Sequence, residues 1–211
     1  MDLYGVTLPR LCLITDSGIS ADLISIVTEA LDAGLPMIQL REKYLDKRQV
    51  WKLAQKLRDL TAHYKARLII NRDLDIALAV EADGIHVGKD SLPIPLIRNL
   101  LSQANNAMII GYSAHSLIEC QMAEKDGADY LFFSPIYSTP SKAQYGEPQG
   151  IDRLKEVIGG VNLPVFALGG IKQANLSEVL AQGAHGAALI SEILCSKEPG
   201  NTTRSLLQLL A

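Results

Sequence analysis

Short apolar runs alternate with amphipathic segments along the whole chain, and this rhythm restricts the fold more than any other feature. The runs are Leu11–Ile14, Met37–Leu40, Leu68–Ile70, Gly84–Val87, Met108–Ile110, Tyr130–Phe133, Pro164–Leu168 and Ala187–Ile190. Helical spacing follows in Ala21–Leu31 (through Leu23, Ile24, Val27 and Leu31), about Asp46–His63, Ile76–Ala79, Leu96–Leu101, Ser116–Lys125, Asn175–Gln182 and Thr203–Leu210. Strand-like runs separated by helices argue for parallel pairing, because a parallel neighbour is reached only by a crossover. Strands covered on both faces read as near-continuous apolar runs. Eight such units close most naturally into one barrel. The expectation is α/β class, a single (β/α)8 barrel over residues 1–211, with an open doubly wound sheet as the alternative.

Three related segments support the count: Ala82-Asp83-Gly84, Gly127-Ala128-Asp129 and Gly183-Ala184-His185-Gly186. Each carries glycine where a helix ends and a strand begins. No shift in composition marks a linker.

The bulk numbers exclude several classes. Apolar residues make up 48% and charged residues 20%, with a formal net charge of −3. A nucleic-acid binder needs a basic surface to neutralise phosphates, and this chain has none in prospect. No apolar run approaches the ~20 residues that cross a bilayer. Met1-Asp2-Leu3-Tyr4 lacks the basic start of a signal peptide. The expectation is a cytoplasmic protein with no membrane or nucleic-acid partner; a homodimer is the one assembly considered. Cys12, Cys120 and Cys195 form no CxxC pair and are read as small buried apolar residues.

In a βα barrel the C-terminal strand ends share one rim. That rim gathers Gln39 at the end of the second run with Arg41 and Lys43 after it, Asn71, Arg72 and Asp73 after the third, and Ser113 and His115 after the fifth. The sixth run opens a long loop containing Thr139, Ser141 and Lys142, and its stretch 138–150 is a candidate lid. Gly169-Gly170 follows the seventh run, and Ile190-Ser191 ends the eighth. A net basic ring on an acidic protein suits an anionic ligand. Paired glycines let backbone N–H groups approach a phosphate, though they serve a tight turn equally well. His115 is suited to proton transfer near neutral pH. His86 is read as structural, and His63 and His185 as surface residues. Arg41 and Lys43, two residues apart, are expected on one side of an extended chain, with a surface pairing to Glu42 as the plainer alternative.

These rim residues, in this order, resemble the family that contains thiamine phosphate synthase and TenI, the thiazole tautomerase. The resemblance covers about Leu11 to Ile193. It is carried by Gln39-Leu40-Arg41-Glu42-Lys43, Ala82–Gly88, Gly111–Ser116, Pro135-Ile136-Tyr137 with Thr139–Lys142, and Leu168–Ile171. It implies the same barrel. It also implies Gln39, Arg41, Lys43, Asn71, Ser113, Thr139, Ser141 and Lys142 as substrate contacts, and Gly169, Gly170, Ile190 and Ser191 as the phosphate site. The synthase joins hydroxymethylpyrimidine diphosphate to thiazole phosphate and uses magnesium on the leaving diphosphate. Its two metal-binding Asp positions correspond here to Arg72 and Ser91, with Asp73 and Asp90 each one residue away. That substitution, with the tautomerase-like Asp90-Ser91-Leu92-Pro93 and Thr139-Pro140-Ser141-Lys142, favours the tautomerase. On that expectation His115 moves the protons, no cofactor or metal is needed, and the ligand is a phosphorylated thiazole. The synthase, with magnesium, stands as the alternative, and a non-catalytic thiazole-phosphate regulator as a second.

Overall fold

The computed structural model describes residues 2–3, 6–20, 22–139 and 147–211. A short antiparallel pair, β1 (Asp2–Leu3) and β2 (Val6–Thr7), precedes the barrel. The barrel strands are β3 (Leu11–Ile14), β4 (Met37–Leu40), β5 (Arg67–Asn71), β6 (Gly84–Val87), β7 (Ile109–Ala114), β8 (Tyr130–Phe133), β9 (Val165–Leu168) and β10 (Gly186–Leu189). All pair in parallel, and β10 pairs with β3 to close the ring. This is a (β/α)8 TIM barrel, as the alternation required. The open sheet is ruled out by the β10–β3 pairing.

The connecting helices are α1 (Leu23–Asp32), α2 (Lys47–Tyr64), α3 (Leu74–Ala79), α4 (Ile94–Gln103), α5 (Leu117–Lys125), α6 (Gly150–Gly160), α7 (Gln173–Ala181), α8 (Ser191–Leu194) and α9 (Pro199–Leu210). Local chemistry sets several starts. Asp46 and Gln49 form a reciprocal capping box on α2, and Ser116 accepts from the Glu119 amide at the start of α5. Helix α6 begins at Gly150, which the sequence reading had left inside the loop. Strand β7 runs on to Ala114, past the apolar run, because Tyr112, Ser113 and Ala114 pair with Leu131, Phe132 and Phe133 of β8.

Alternate residues on each strand divide the core in two. Outward residues such as Leu11, Leu13, Ile38, Leu68, Ile70, Ile85, Ile110, Leu131 and Phe133 pack under the helices. Inward residues, among them Cys12, Ile14, Met37, Ile69, Ile109, Tyr130, Phe132, Phe166 and Ala188, fill the barrel. The interior is therefore packed, not a pore, and any ligand must sit at the mouth.

The recurrent motif has a common geometry. Asp83, Asp129 and His185 each donate their backbone N–H to the preceding strand, to Leu68, Ile110 and Val165 respectively. The Asp83 carboxylate then accepts from the Leu68 amide at 2.7 Å and from Arg58 at 2.8 Å. Asp129 accepts from the Ile110 amide at 2.6 Å and from Arg98 at 2.5 Å. His185 is half-buried, not a free surface residue: its Nε2 meets the carbonyls of Leu8 and Pro9 at 3.1 and 3.3 Å. Cys12 and Cys120 are buried as expected, whereas Cys195 is exposed beyond α8. Among the described residues no helix is long and apolar enough to cross a membrane.

Candidate functional site at the barrel mouth

The inward positions change character at the C-terminal ends of the strands. Gln39 on β4, Asn71 on β5, and Ser113 on β7 lie where the layer beneath is apolar. Gln39 is only 2% exposed. Its Nε2 donates to Asn71 Oδ1 at 3.2 Å, while its Oε1 has no partner among the described residues. A buried acceptor left idle costs about 1–3 kcal/mol, so this carbonyl is free to accept a further hydrogen bond.

His86, on β6, lies fully inside the same region. Its Nε2 is 2.8 Å from Ser113 Oγ and its Nδ1 is 3.2 Å from Tyr130 Oη. Burial first, and the nearby Arg41 guanidinium second, push its pKa down to about 3. Gly111 makes this contact possible, since a Cβ there would lie 2.2 Å from Tyr130 Cζ and 2.4 Å from His86 Nδ1. The sequence reading assigned His86 a purely structural place; the bond to the rim residue Ser113 was not visible in it.

The cations divide. Glu42 does not pair with Arg41 or Lys43. It accepts from Thr15 Oγ1 at 2.8 Å and from the Ser17 amide at 2.9 Å, which ties the β4 loop to the β3 loop. Lys43 is exposed, with its Nζ 4.0 Å from Asp16. Arg41 is half-buried, and no carboxylate among the described residues lies within 4.0 Å of it. The chain leaves β4 at Leu40; Lys43 reaches Asp16 of the β3 loop, and Arg41 lies close enough to His86 to act on its charge.

Gly169 and Gly170 both take left-handed backbone, φ 95° and 69°. They also lie against the loop after β8: added Cβ atoms would come 2.8 Å from Pro135 and 2.6 Å from Tyr137. Only glycine suits both demands. Their amides donate to no turn or loop acceptor among the described residues. Ile190 is half-buried at the end of β10, and Ser191, exposed, begins α8. The long loop is pinned at its neck, where the amides of Gln149 and Gly150 donate to the carbonyls of Pro135 and Ile136. Thr139 keeps a buried hydroxyl without a partner. Ser141, Lys142 and the middle of the candidate lid lie outside the described residues.

His115 is exposed just past β7, and its Nδ1 is 2.7 Å from the Ser134 carbonyl oxygen. That bond makes Nδ1 the donor and leaves Nε2 without the proton in the neutral ring. The residues around Asn71 fit magnesium poorly. The ion needs oxygen donors, usually one or two carboxylates beside substrate phosphates. Arg72 sits at φ 70° and donates to the Asp90 carbonyl at 3.3 Å. Asp73 is 3.7 Å from Lys47, and Ser91 Oγ accepts from the Gly88 amide. Among the described residues, no three His, Cys, Asp or Glu side chains converge. The residue after Asn71 therefore offers a guanidinium and no oxygen donor from its side chain.

A family model described as thiamine monophosphate synthase matches residues 11–193. A thiamine-phosphate synthase of Chloroflexus aurantiacus is 38% identical over 204 residues, covering 96% of this chain and 93% of its own. A thiamine-phosphate synthase of Shouchella clausii is 40% identical over 186 residues, covering 88% of each chain. The solved structure of a thiamine phosphate pyrophosphorylase from Pyrococcus furiosus superposes with a TM-score of 0.86 at 34% identity, covering 95% of both chains. These relatives overturn the tautomerase expectation, which had rested on Arg72, Ser91 and the two loop segments 90–93 and 139–142 against a likeness that spans the whole barrel. From the barrel, the polar mouth and these matches together, the chain belongs to the thiamine monophosphate synthase family.

Proposed function

We propose that this chain is a thiamine-phosphate synthase, a transferase acting in the cytoplasm on two small substrates, a pyrimidine diphosphate and a thiazole phosphate. In that reaction the thiazole nitrogen attacks the pyrimidine methylene carbon. A C–N bond forms, the C–O bond to diphosphate breaks, and diphosphate leaves with the electron pair. The observation that carries the reading is that, among the described residues, the half-buried Arg41 has no carboxylate within 4.0 Å and Gln39 Oε1, two residues earlier at the end of β4, has no partner. A half-buried guanidinium without a carboxylate suits an anion, and the idle carbonyl suits a donor such as a pyrimidine amino group.

In this scheme Gln39 and Asn71 orient the pyrimidine. Arg41, Arg72 and Lys43 offset the charge that develops on the diphosphate. Such preorganised charge acts more strongly in a water-poor mouth than in bulk water. Gly169, Gly170, Ile190 and Ser191 hold the thiazole phosphate, and Thr139, Ser141 and Lys142 are assigned to substrate binding. Family members use magnesium on the leaving group; because the donors here fit it poorly, no step in this scheme is routed through it. His115 is given no role in the transfer, which needs no proton relay.

The test mixes the two substrates with the purified protein, with and without magnesium, and follows both products. Thiamine phosphate and diphosphate should appear in equal amounts. If neither forms under either condition, the reading fails.

A further inference from the structure

Tyr130, His86 and Ser113 form a continuous chain of polar atoms from the bottom of the barrel to its mouth. Tyr130 and His86 are 0% and 1% exposed, and Phe132 packs on the imidazole with ring centroids 4.3 Å apart. Ser113 is half-buried at the upper end. Nothing in the proposed reaction uses the two buried members.

The direction of this chain follows from counting donors. Among the described residues the Tyr130 hydroxyl has one polar partner, His86 Nδ1. If Nδ1 carried the proton, the Tyr130 O–H would be buried with nothing to donate to. An idle buried donor costs about 1–3 kcal/mol. If Tyr130 donates to Nδ1, the imidazole proton must sit on Nε2. Nε2–H then donates to Ser113 Oγ, 2.8 Å away. The Ser113 proton is left to point away from the imidazole, into the mouth. In this arrangement every buried donor is used. The imidazole has to remain neutral for it, and the desolvated site beside Arg41 holds it so.

We propose that Tyr130 and His86 are positioning residues that fix the Ser113 hydroxyl as a donor toward an anionic oxygen at the barrel mouth. The oxygen assigned to it is one of the leaving diphosphate, so the proposal rests on the synthase reading for its ligand but not for its geometry. The relay adds specificity as well as binding. A serine free to rotate could spend its proton on His86; a serine that accepts from His86 keeps its proton free to donate forward.

Two measurements test this. Nitrogen-15 NMR of the wild-type imidazole near neutral pH should show His86 neutral with the proton on Nε2. A proton on Nδ1, or an imidazolium, overturns the relay whatever reaction the protein catalyses. Calorimetry with inorganic diphosphate should then compare the wild type, Ser113→Ala, Tyr130→Phe and the double variant. Each single variant should weaken binding, Ser113→Ala by about tenfold as expected for a lost bond to a charged group. The double variant should bind no worse than Ser113→Ala alone. Equal further loss from Tyr130→Phe in the Ser113→Ala background would make Tyr130 a packing residue and overturn the proposal. So would undiminished binding by Tyr130→Phe, or no diphosphate binding by the wild type. Failure of the synthase reading alone would show differently: no thiamine phosphate, with the Nε2–H tautomer intact.

Discussion

A histidine enclosed by aromatic rings titrates against its surroundings. His86 has its pKa driven from 6.5 to about 3, while the unfolded chain keeps the ordinary value. Between those values the unfolded state binds a proton that the native state does not. Stability contributed by the neutral ring is therefore full above pH 6.5 and is lost as pH falls toward 3. His185, also shifted down by burial first, acts in the same direction. Urea unfolding between pH 7 and 5 should show stability falling, with His86 adding a slope of up to ~1.4 kcal/mol per pH unit. In His86→Asn that contribution should vanish. A slope unchanged in the variant would show that His86 is not held neutral. At this scale the sequence was legible in part. It named Gln39, Asn71 and Ser113 from their places after apolar runs. It could not say that Glu42 binds Thr15 and Ser17 in place of its neighbouring cations, because that choice depends on a loop more than twenty residues away.

At the level of elements, the helix-to-strand junctions are more than turns. Asp83 and Asp129 each bind the amide of a neighbouring strand and an arginine from a preceding helix. These bonds hold the register of β5 with β6 and of β7 with β8 at the N-terminal face, opposite the site. Asp129 has a side chain 6% exposed, Asp83 one 37% exposed. Breaking the buried pair leaves the Ile110 amide and Arg98 unmatched, so Asp129→Ala should cost about 3 kcal/mol. Asp83→Ala should cost about 1 kcal/mol, because water can replace the exposed carboxylate. Chemical denaturation of the two variants measures both, and equal losses would contradict the burial argument. The repeat was legible as Ala-Asp-Gly spacing and as a glycine signal. Its carboxylate function was not, since the partners Arg58 and Arg98 sit in helices that only folding brings alongside.

For the molecule as a whole, the mouth draws residues from β4, β5, β7, β9 and β10, so a ligand there bridges strands that are far apart in the chain. Binding to the native state alone raises stability by ~2.7 kcal/mol at a hundred times Kd. For a domain of this size that corresponds to a rise in Tm of about 5–10 °C. Thermal melts with inorganic diphosphate or thiazole phosphate should show it; no rise at saturation would place the anion site elsewhere. The sequence by itself determined the barrel, since eight apolar runs buried on both faces have few other ways to close, and it determined which residue types reach the rim. Tertiary structure decided how the rim residues are paired. Arg41 is left without a carboxylate, Gln39 Oε1 without a donor, and Ser113 with a buried histidine behind it. Strand periodicity fixes the face a side chain takes, but hydrogen-bond partners are set by distances between strands, and those exist only once the ring has closed.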